Sequence, residues 1–371
     1  MESTQREFVS LESPTATRNG AGYMPTQGLY YTPSGKRPRT AFIATHYNVD
    51  FSEHYMAELM ASRGYGFLGW NTRFRGIEAY FSLEHALIDI GAGVRWLREE
   101  AGVETVVLLG NSGGGSLMAA YQSQATDPNL QPLLGAPAPE AANDLMAGDF
   151  YVSTNAHMGR PEVLTDWFDP SITDETDPTS VDPSLDMYNP ENGPPYSAEF
   201  IERYRAAQVA RNNQITAWTL EELERLQATG SFDRMFNMYR TWADPRYLDA
   251  SLDPNDREIG VCYLGPPKFF NYSPYGIGIS STIRTWLSMW SLEHSQCRGA
   301  PHLNRISVPA LVVQSMADTG VFPVDAQATH NNLASADKTL EFIAGDHYLQ
   351  TPDTARDTVA DMVAGWLSAR Q

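Results

Sequence analysis

Short apolar runs alternate with longer amphipathic stretches over most of this chain, and the alternation predicts its architecture. Runs rich in β-branched and aromatic residues indicate strands. Six such runs stand out, at 40–45, 66–70, 105–109, 150–154, 310–314 and 338–343. Segments of helical length separate most of them. The pattern therefore predicts an α/β fold, with a mainly parallel sheet and helices on both of its faces.

Helical periodicity is clearest at 83–100, where apolar residues recur every three or four positions. The shared face would consist of Leu83, Leu87, Ile90, Val94 and Leu97. A closing amphipathic helix is predicted at 354–368. Two weaker apolar runs, at 8–11 and 28–32, predict an antiparallel hairpin at one edge of the sheet.

The alternation stops between residues 159 and 300, which we call the insertion; residues 1–158 and 301–371 would form the core. Pro-rich, acidic loops come first in the insertion, and helices are predicted at 198–213 and 220–228. The insertion also holds five of the eight tryptophans: Trp167, Trp218, Trp242, Trp286 and Trp290. They can form a lid over a cleft, or simply the small core that such a segment needs.

Composition narrows the classes of function. The 371 residues carry 26 Lys and Arg against 45 Asp and Glu, a formal net charge of -19, which repels phosphate backbones and anionic membranes. Nucleic acid and membranes are therefore not expected as partners. Only Cys262 and Cys297 occur, so free thiols are expected rather than disulfides or a zinc site. The polar residues 1–20 lack the apolar run of a signal peptide, so we expect a cytoplasmic location.

The sharpest chemical signal is Gly110-Asn111-Ser112-Gly113-Gly114, between an apolar strand and a helical run. It fits the G-x-S-x-G elbow, in which small residues allow a tight turn that exposes the serine hydroxyl. A glycine-rich turn of this kind can also hold a phosphate at a helix N-terminus. No Lys stands in the P-loop position and no GxGxxG is completed, so Ser112 is predicted to be a nucleophile.

A serine hydroxyl needs a neighbouring base, and the base needs an orienting acid. His347 follows the strand predicted at 338–343 and is the candidate base. His157, after the strand at 150–154, is the rival base, although contact with substrate is the role we expect for it. The remaining histidines are assigned mostly to loops and helix surfaces.

Asp318 is the candidate acid, since it follows the strand at 310–314 and precedes His347 by 29 residues, room for one helix and one strand. The alternatives are Asp325, Asp337, Glu341 and Asp346. Asp346 adjoins His347 and should point elsewhere. It is interpreted as a solvated surface carboxylate, as are Asp325 and Asp337.

Acyl transfer also needs donors for an oxyanion. The backbone N–H of Gly113 is one candidate, and the loop Thr45-His46-Tyr47-Asn48 should supply a second from Tyr47 or Asn48. The sequence does not decide between those two.

Taken together, these residues resemble the α/β-hydrolase superfamily. The resemblance covers about 230 core residues, including His46 at the start of an oxyanion loop, Asn71-Thr72-Arg73 with Gly76, and Asp318 with Pro323. Tyr47, where the family usually has Gly, and Asn71 with Phe74 depart from the pattern. The resemblance implies an α/β-hydrolase fold with a large, mainly helical cap inserted after the sixth strand. It also implies a Ser112, Asp318 and His347 triad, with His46 and His157 touching substrate.

The expected function is cleavage of an ester or lactone of a bulky, apolar small molecule, with no cofactor and no metal. An acyltransferase, an amidase or a carbon-carbon bond hydrolase would use the same triad, and a binding protein with little turnover is the alternative from another class. Dehalogenases and epoxide hydrolases are disfavoured because they resemble this fold with Asp at the elbow. A small-molecule substrate is the expected partner, and a homodimer is the assembly left open.

Overall fold

The computed structural model describes residues 3–15, 26–131 and 138–371, so that the polar segment 1–20 lies partly outside the described part. The strands are β1 (Thr4–Leu11), β2 (Thr26–Pro33), β3 (Thr40–Ala44), β4 (Gly66–Asn71), β5 (Thr105–Ser112), β6 (Phe150–Ala156), β7 (Met235–Asn237), β8 (Ser280–Thr282), β9 (Ala310–Ser315) and β10 (Lys338–Ile343). All six runs predicted as strands are therefore strands.

The helices begin and end close to the predicted positions in the core. They are α1 (Ala57–Ala61), α2 (Leu83–Glu99), α3 (Gly114–Thr126), α4 (Arg160–Trp167), α5 (Ala198–Ala228), α6 (Pro267–Asn271), α7 (Ile283–Thr285), α8 (Gly299–Leu303), α9 (Pro323–Asn332) and α10 (Ala355–Ser368). Short 3-10 turns cover Glu78–Tyr80, Glu140–Asn143 and Pro245–Tyr247, and a π-helical turn covers Trp286–Trp290. Within the described residues, no helix is both long enough and apolar enough to cross a bilayer.

Eight strands form one sheet, in the order β1-β2-β4-β3-β5-β6-β9-β10. Strand β2 is antiparallel to both β1 and β4, and every other neighbouring pair is parallel. The mainly parallel sheet and the edge hairpin are thus confirmed. Because β3, β5, β6, β9 and β10 run the same way, their carboxyl ends meet at one edge, where sites in open α/β sheets lie.

Two apolar layers cover the sheet. On one face the predicted stripe of α2 is buried, with Leu83, Leu87, Ile90, Val94 and Leu97 each at most 1% exposed. On the other face α1 and α10 pack against the same strands, through residues such as Met60, Val359 and Val363. Both layers bury apolar surface, which is the main stabilising term of such a fold.

The insertion contains α4 to α7, the small β7-β8 ribbon and the start of α8, and adds no strand to the large sheet. The prediction of two helices, at 198–213 and 220–228, is wrong, since α5 runs unbroken for 31 residues. Four of the five tryptophans of the insertion are buried, and the fifth, Trp218, is 38% exposed. Cys262 and Cys297 are buried free thiols, as expected.

Candidate active site

Ser112 lies at the turn between β5 and α3, in a backbone conformation with a φ of +53°. Residues with a side chain adopt this left-handed region rarely and at an energetic cost. The turn is possible because its neighbours are glycines. A methyl group on Gly110 would lie 2.5 Å from Cα of Gly115, and one on Gly114 would lie 2.2 Å from the carbonyl oxygen of Thr45. The tight packing presents the Ser112 hydroxyl at the carboxyl edge of the sheet.

Asn111, inside the turn, is held by two polar contacts. Its side chain donates to the Thr154 carbonyl oxygen over 2.9 Å and lies 3.2 Å from Nε2 of His54. His54 is buried rather than on the surface, and both ring nitrogens have partners: Nδ1 accepts the Met56 amide and Nε2 donates to Asn111. Burial lowers the pKa of His54 to about 4, so the neutral ring stabilises the turn.

His347 and Asp318 lie in the loops that follow β10 and β9. Nε2 of His347 is 3.2 Å from Oγ of Ser112, and Nδ1 is 2.7 Å from Oδ2 of Asp318. His347 is 5% exposed and Asp318 is fully buried. The structure therefore brings the three predicted side chains into one hydrogen-bonded chain, with distances suited to nucleophile, base and acid.

Asp318 is fixed by more than the histidine. Its Oδ1 accepts the amides of Gly320 and Val321, both over 2.9 Å. The insertion also reaches it, since the Asn255 side chain donates to its carbonyl oxygen over 2.9 Å. The other carboxylate oxygen, Oδ2, faces Nδ1 of His347.

The alternative acids have other partners. Asp346 accepts the amides of Tyr348, Gln350 and Thr351, and Asp337 pairs with Arg370 at 2.7 Å. Asp325 was expected to be a solvated surface carboxylate, but only 21% of its side chain is exposed. Burial raises its pKa to about 6, and its Oδ2 accepts the Phe322 amide at the start of α9.

His157, the rival base, lies beside the site. Its ring centroid is 6.4 Å from that of His347, and its backbone amide donates to the Ser112 carbonyl oxygen over 3.1 Å. Burial and the charges of His347 and Arg160 hold the pKa of His157 well below its usual value. It borders a cavity of about 20 Å³ with Trp167 and Gly320. The hydroxyl of Ser112 faces His347, not His157.

The predicted oxyanion loop has its own hydrogen bonds. The Asn48 amide donates to Nδ1 of His46 over 3.4 Å, and the Val49 amide donates to the same atom over 3.3 Å. The phenol of Tyr47 is 3.0 Å from Oγ of Ser116, so the ring is buried beside α3 instead of lying open in the cleft. Of these residues, His46 comes nearest to Gly113: a methyl group on Gly113 would lie 2.7 Å from Nε2 of His46.

No protein-family model and no curated protein sequence matches this chain. Solved structures do match over nearly its full length. DcsB in complex with its substrate analogue superposes with a TM-score of 0.54, at 12% identity, over 98% of this chain and 99% of that one. The α/β-hydrolase GrgF from Penicillium sp. sh18 gives 0.52, at 11% identity, over 98% and 97%. Est1E from Butyrivibrio proteoclasticus gives 0.50, at 11% identity, over 98% of both chains.

This chain has the α/β-hydrolase fold. The α/β-hydrolase sheet accounts for the meeting of Ser112, Asp318 and His347, because the three follow β5, β9 and β10. Arg73, part of the Asn71-Thr72-Arg73 segment in which the chain resembles the superfamily, makes an ion pair away from Ser112. It pairs with the buried Asp89 at 2.8 Å.

Two residues beside the candidate site were missed in the sequence, and both belong to the insertion. Tyr263 stacks on His347, with centroids 4.1 Å apart at 34°, and its hydroxyl is 3.4 Å from Oδ1 of Asp318. The ring lies so close to the acid loop that a methyl group on Gly320 would be 2.2 Å from it. Nothing in the local sequence singles out Tyr263, since its partners are far away along the chain.

Arg160 is the second missed residue. It begins α4, just past the carboxyl end of β6, and is 3% exposed. Its Nη2 pairs with Oε2 of Glu78 at 3.4 Å, while Glu78 also accepts the Gly278 amide over 2.9 Å. Burial lowers the pKa of Arg160 and raises that of Glu78, and each partner's charge opposes this effect. The sequence did offer one indication of this role: Arg160 comes four residues after the end of β6, and sites in such sheets lie at the carboxyl ends of strands.

Proposed function

We propose that this protein is a serine hydrolase that cleaves a carboxylic ester or lactone of a bulky, apolar small molecule. The observation that carries the proposal is the chain of two hydrogen bonds from Ser112 through His347 to Asp318. A half-buried serine on a strained turn, paired with an oriented imidazole, is the arrangement that acyl transfer needs. Fold alone would not suffice for this proposal.

In the proposed reaction Oγ of Ser112 adds to the ester carbonyl while its proton passes to Nε2 of His347. Asp318 holds the ring in the required tautomer and stabilises the imidazolium. The intermediate then collapses, and the alcohol leaves with the proton from His347. Water, deprotonated by His347, releases the acid from Ser112 in the second half of the reaction.

The substrate class rests on the aromatic surroundings. Tyr263 stacks on His347, and Trp167 packs against both Tyr263 and His157, with Trp242 stacked on Trp167 at 4.6 Å. Small-molecule sites are mostly apolar with a few fixed polar groups. Because Tyr263, a residue of the insertion, stacks on the ring of His347, we infer that part of the insertion moves when a bulky substrate enters.

The first test is intact-mass spectrometry after incubation with a fluorophosphonate probe. We expect one adduct on the native protein and on a matched control, Ser62→Ala, and no adduct on Ser112→Ala or His347→Ala. Active protein is then assayed on p-nitrophenyl esters and lactones of increasing acyl size. An unlabelled native protein that is folded by circular dichroism would contradict the proposal and favour a binding protein.

A further inference from the structure

His46 belongs to the loop after β3 and its ring lies against the elbow, where its hydrogen bonds fix its tautomer. Nδ1 accepts the amides of Asn48 and Val49, so a neutral ring must carry its proton on Nε2. Burial, followed by the Arg160 cation, holds the pKa of His46 well below its usual value. The ring is therefore a neutral N–H donor.

That donor lies beside the elbow. Nε2 lies 2.7 Å from the position of a methyl group on Gly113, the residue whose amide follows the nucleophile. Within the described part of the chain, no acceptor is hydrogen-bonded to Nε2 of His46. Nε2 is therefore a donor beside Gly113 that no acceptor of the described residues occupies, and it is free to donate to a substrate oxygen placed there.

A fixed positive charge lies at the same place. Nη1 of Arg160 is 3.2 Å from that methyl position. The guanidinium is held between the rings of Tyr47 and Trp290, at 4.7 and 5.1 Å from their centroids. Among the described residues its buried Nε has no hydrogen-bond partner. Its one acidic partner, Glu78, is shared with Asn48 and Gly278.

We propose that side chains complete the oxyanion hole: Nε2–H of His46 donates to the oxyanion together with the Gly113 amide, and the Arg160 guanidinium stabilises the charge from behind. This proposal rests on the proposed function. When Oγ of Ser112 bonds to the carbonyl carbon, the π electron pair moves onto oxygen, and that oxygen accepts both N–H groups. When the pair returns, the alcohol is expelled. Tyr47 or Asn48 was expected to donate directly; in this proposal the Asn48 amide acts through His46.

Two substitutions of His46 distinguish a donor from a structural residue. In His46→Gln the longer amide can place an N–H near the position of Nε2. In His46→Asn the shorter amide can place only its oxygen near Nδ1, where it accepts the loop amides. With a p-nitrophenyl ester, we expect His46→Asn to lower kcat by about 10²–10³ with KM little changed, the usual loss for one oxyanion donor. His46→Gln should keep kcat within about tenfold of native, because it retains the donor.

The reverse order, with Asn active and Gln inactive, would show that His46 only supports the loop and would overturn the proposal. Native-like kcat in both variants, or a change in KM alone, would overturn it too. His330→Gln, on α9, is the matched histidine control, and thermal unfolding checks each fold. If neither His46 variant folds, Arg160→Lys and Arg160→Met decide, since the charge proposal requires higher kcat for Lys. A native protein without activity would contradict the proposed function itself.

Discussion

At residue scale the site depends on a few side chains in costly environments. Ser112 has a left-handed backbone conformation. Asp318 is a carboxylic acid fully buried from solvent, and Arg160 is a cation that is almost fully buried. Each is tolerated because neighbouring groups compensate: glycines at the elbow, amides around Asp318, and Glu78 beside Arg160. Such costs are typical of places where a structure is shaped for chemistry.

Replacing Asp318 by Asn should leave the site assembled but poorly active. The amide can accept the Gly320 and Val321 amides in place of the carboxylate, yet it neither fixes the His347 tautomer nor stabilises the imidazolium. We expect kcat to fall by about 10³–10⁴, with an unfolding midpoint close to native. Steady-state kinetics and thermal unfolding measure the two quantities, and native-like kcat would rule out Asp318 as the acid.

Tyr263 should act as a positioning residue for His347. Tyr263→Phe keeps the stacked ring and loses only the 3.4 Å contact with Asp318, so we expect kcat within a few-fold of native. Tyr263→Ala removes the ring, and kcat should fall about tenfold or more because the imidazole is less well oriented. The conservative variant is the control: equal losses in Phe and Ala would mean that the stacked ring does not position the base.

The triad side chains could be predicted because each comes directly after an apolar strand, a relation that is local in sequence. Arg160 and Tyr263 could not, because their roles depend on contacts with Glu78 and His347, which are distant in the chain. His46 was predicted at the site, but its tautomer depends on two loop amides that no sequence pattern shows.

At the scale of elements, the contrast between local sequence pattern and distant contacts explains α5. The segment 214–219 has β-branched and polar residues, which weaken helical periodicity, so two helices were predicted. The structure keeps one helix because the polar side chains bind the rest of the insertion. The Asn212 side chain donates to the Trp290 carbonyl oxygen over 2.9 Å, and Oγ1 of Thr216 accepts Nε1 of Trp286 over 3.0 Å.

The junction of α3 with β6 yields a prediction on stability. A methyl group on Gly115 would lie 2.4 Å from Cβ of Ala156, so Gly115→Ala should lower the free energy of unfolding by about 1–3 kcal/mol through overpacking. Gly365 in α10 is the matched control, since nothing lies within 4 Å of its added methyl group. There Ala should raise stability by about 0.5–1 kcal/mol. Urea unfolding measures both, and a neutral Gly115→Ala would contradict the packing described for the elbow.

At the scale of the whole molecule, the sheet and its helices follow from periodicity, because a parallel sheet with two covered faces has few possible arrangements. The packing of the insertion on the core does not follow, because it depends on single contacts such as Gly278 with Glu78 and Asn255 with Asp318. The histidines show the same limit. His54 and His302 are buried, although only His46, His157 and His347 were predicted to lie at the site.

These buried histidines predict acid sensitivity. Burial lowers the pKa of His54 to about 4 and also lowers the pKa values of His46, His157 and His302. A lowered pKa means that the unfolded chain binds protons first, so stability is lost as pH falls below about 6.5. Asp325, with its pKa raised to about 6, acts in the opposite direction.

The size of the effect can be tested at His54. Between pH 7.5 and 5.5 this residue alone should lower the free energy of unfolding by about 1.4 kcal/mol. His54→Gln removes the titrating group and keeps an amide for Asn111, so its stability should fall less with acid by about that amount. Urea unfolding at the two pH values tests this. Parallel pH profiles for native protein and variant would show that His54 does not titrate as its burial requires.

The contact of Tyr263 with His347 and Asp318 has a consequence for the timing of turnover. The ring that covers His347 belongs to the insertion, so under the proposed function a movement of the insertion that admits a bulky substrate would also withdraw this ring. Catalysis is then best supported after the insertion has returned over bound substrate. Under the proposed function, a bound molecule would be cleaved efficiently only if the insertion can close over it. A molecule that keeps the insertion open would bind near Ser112 and react slowly.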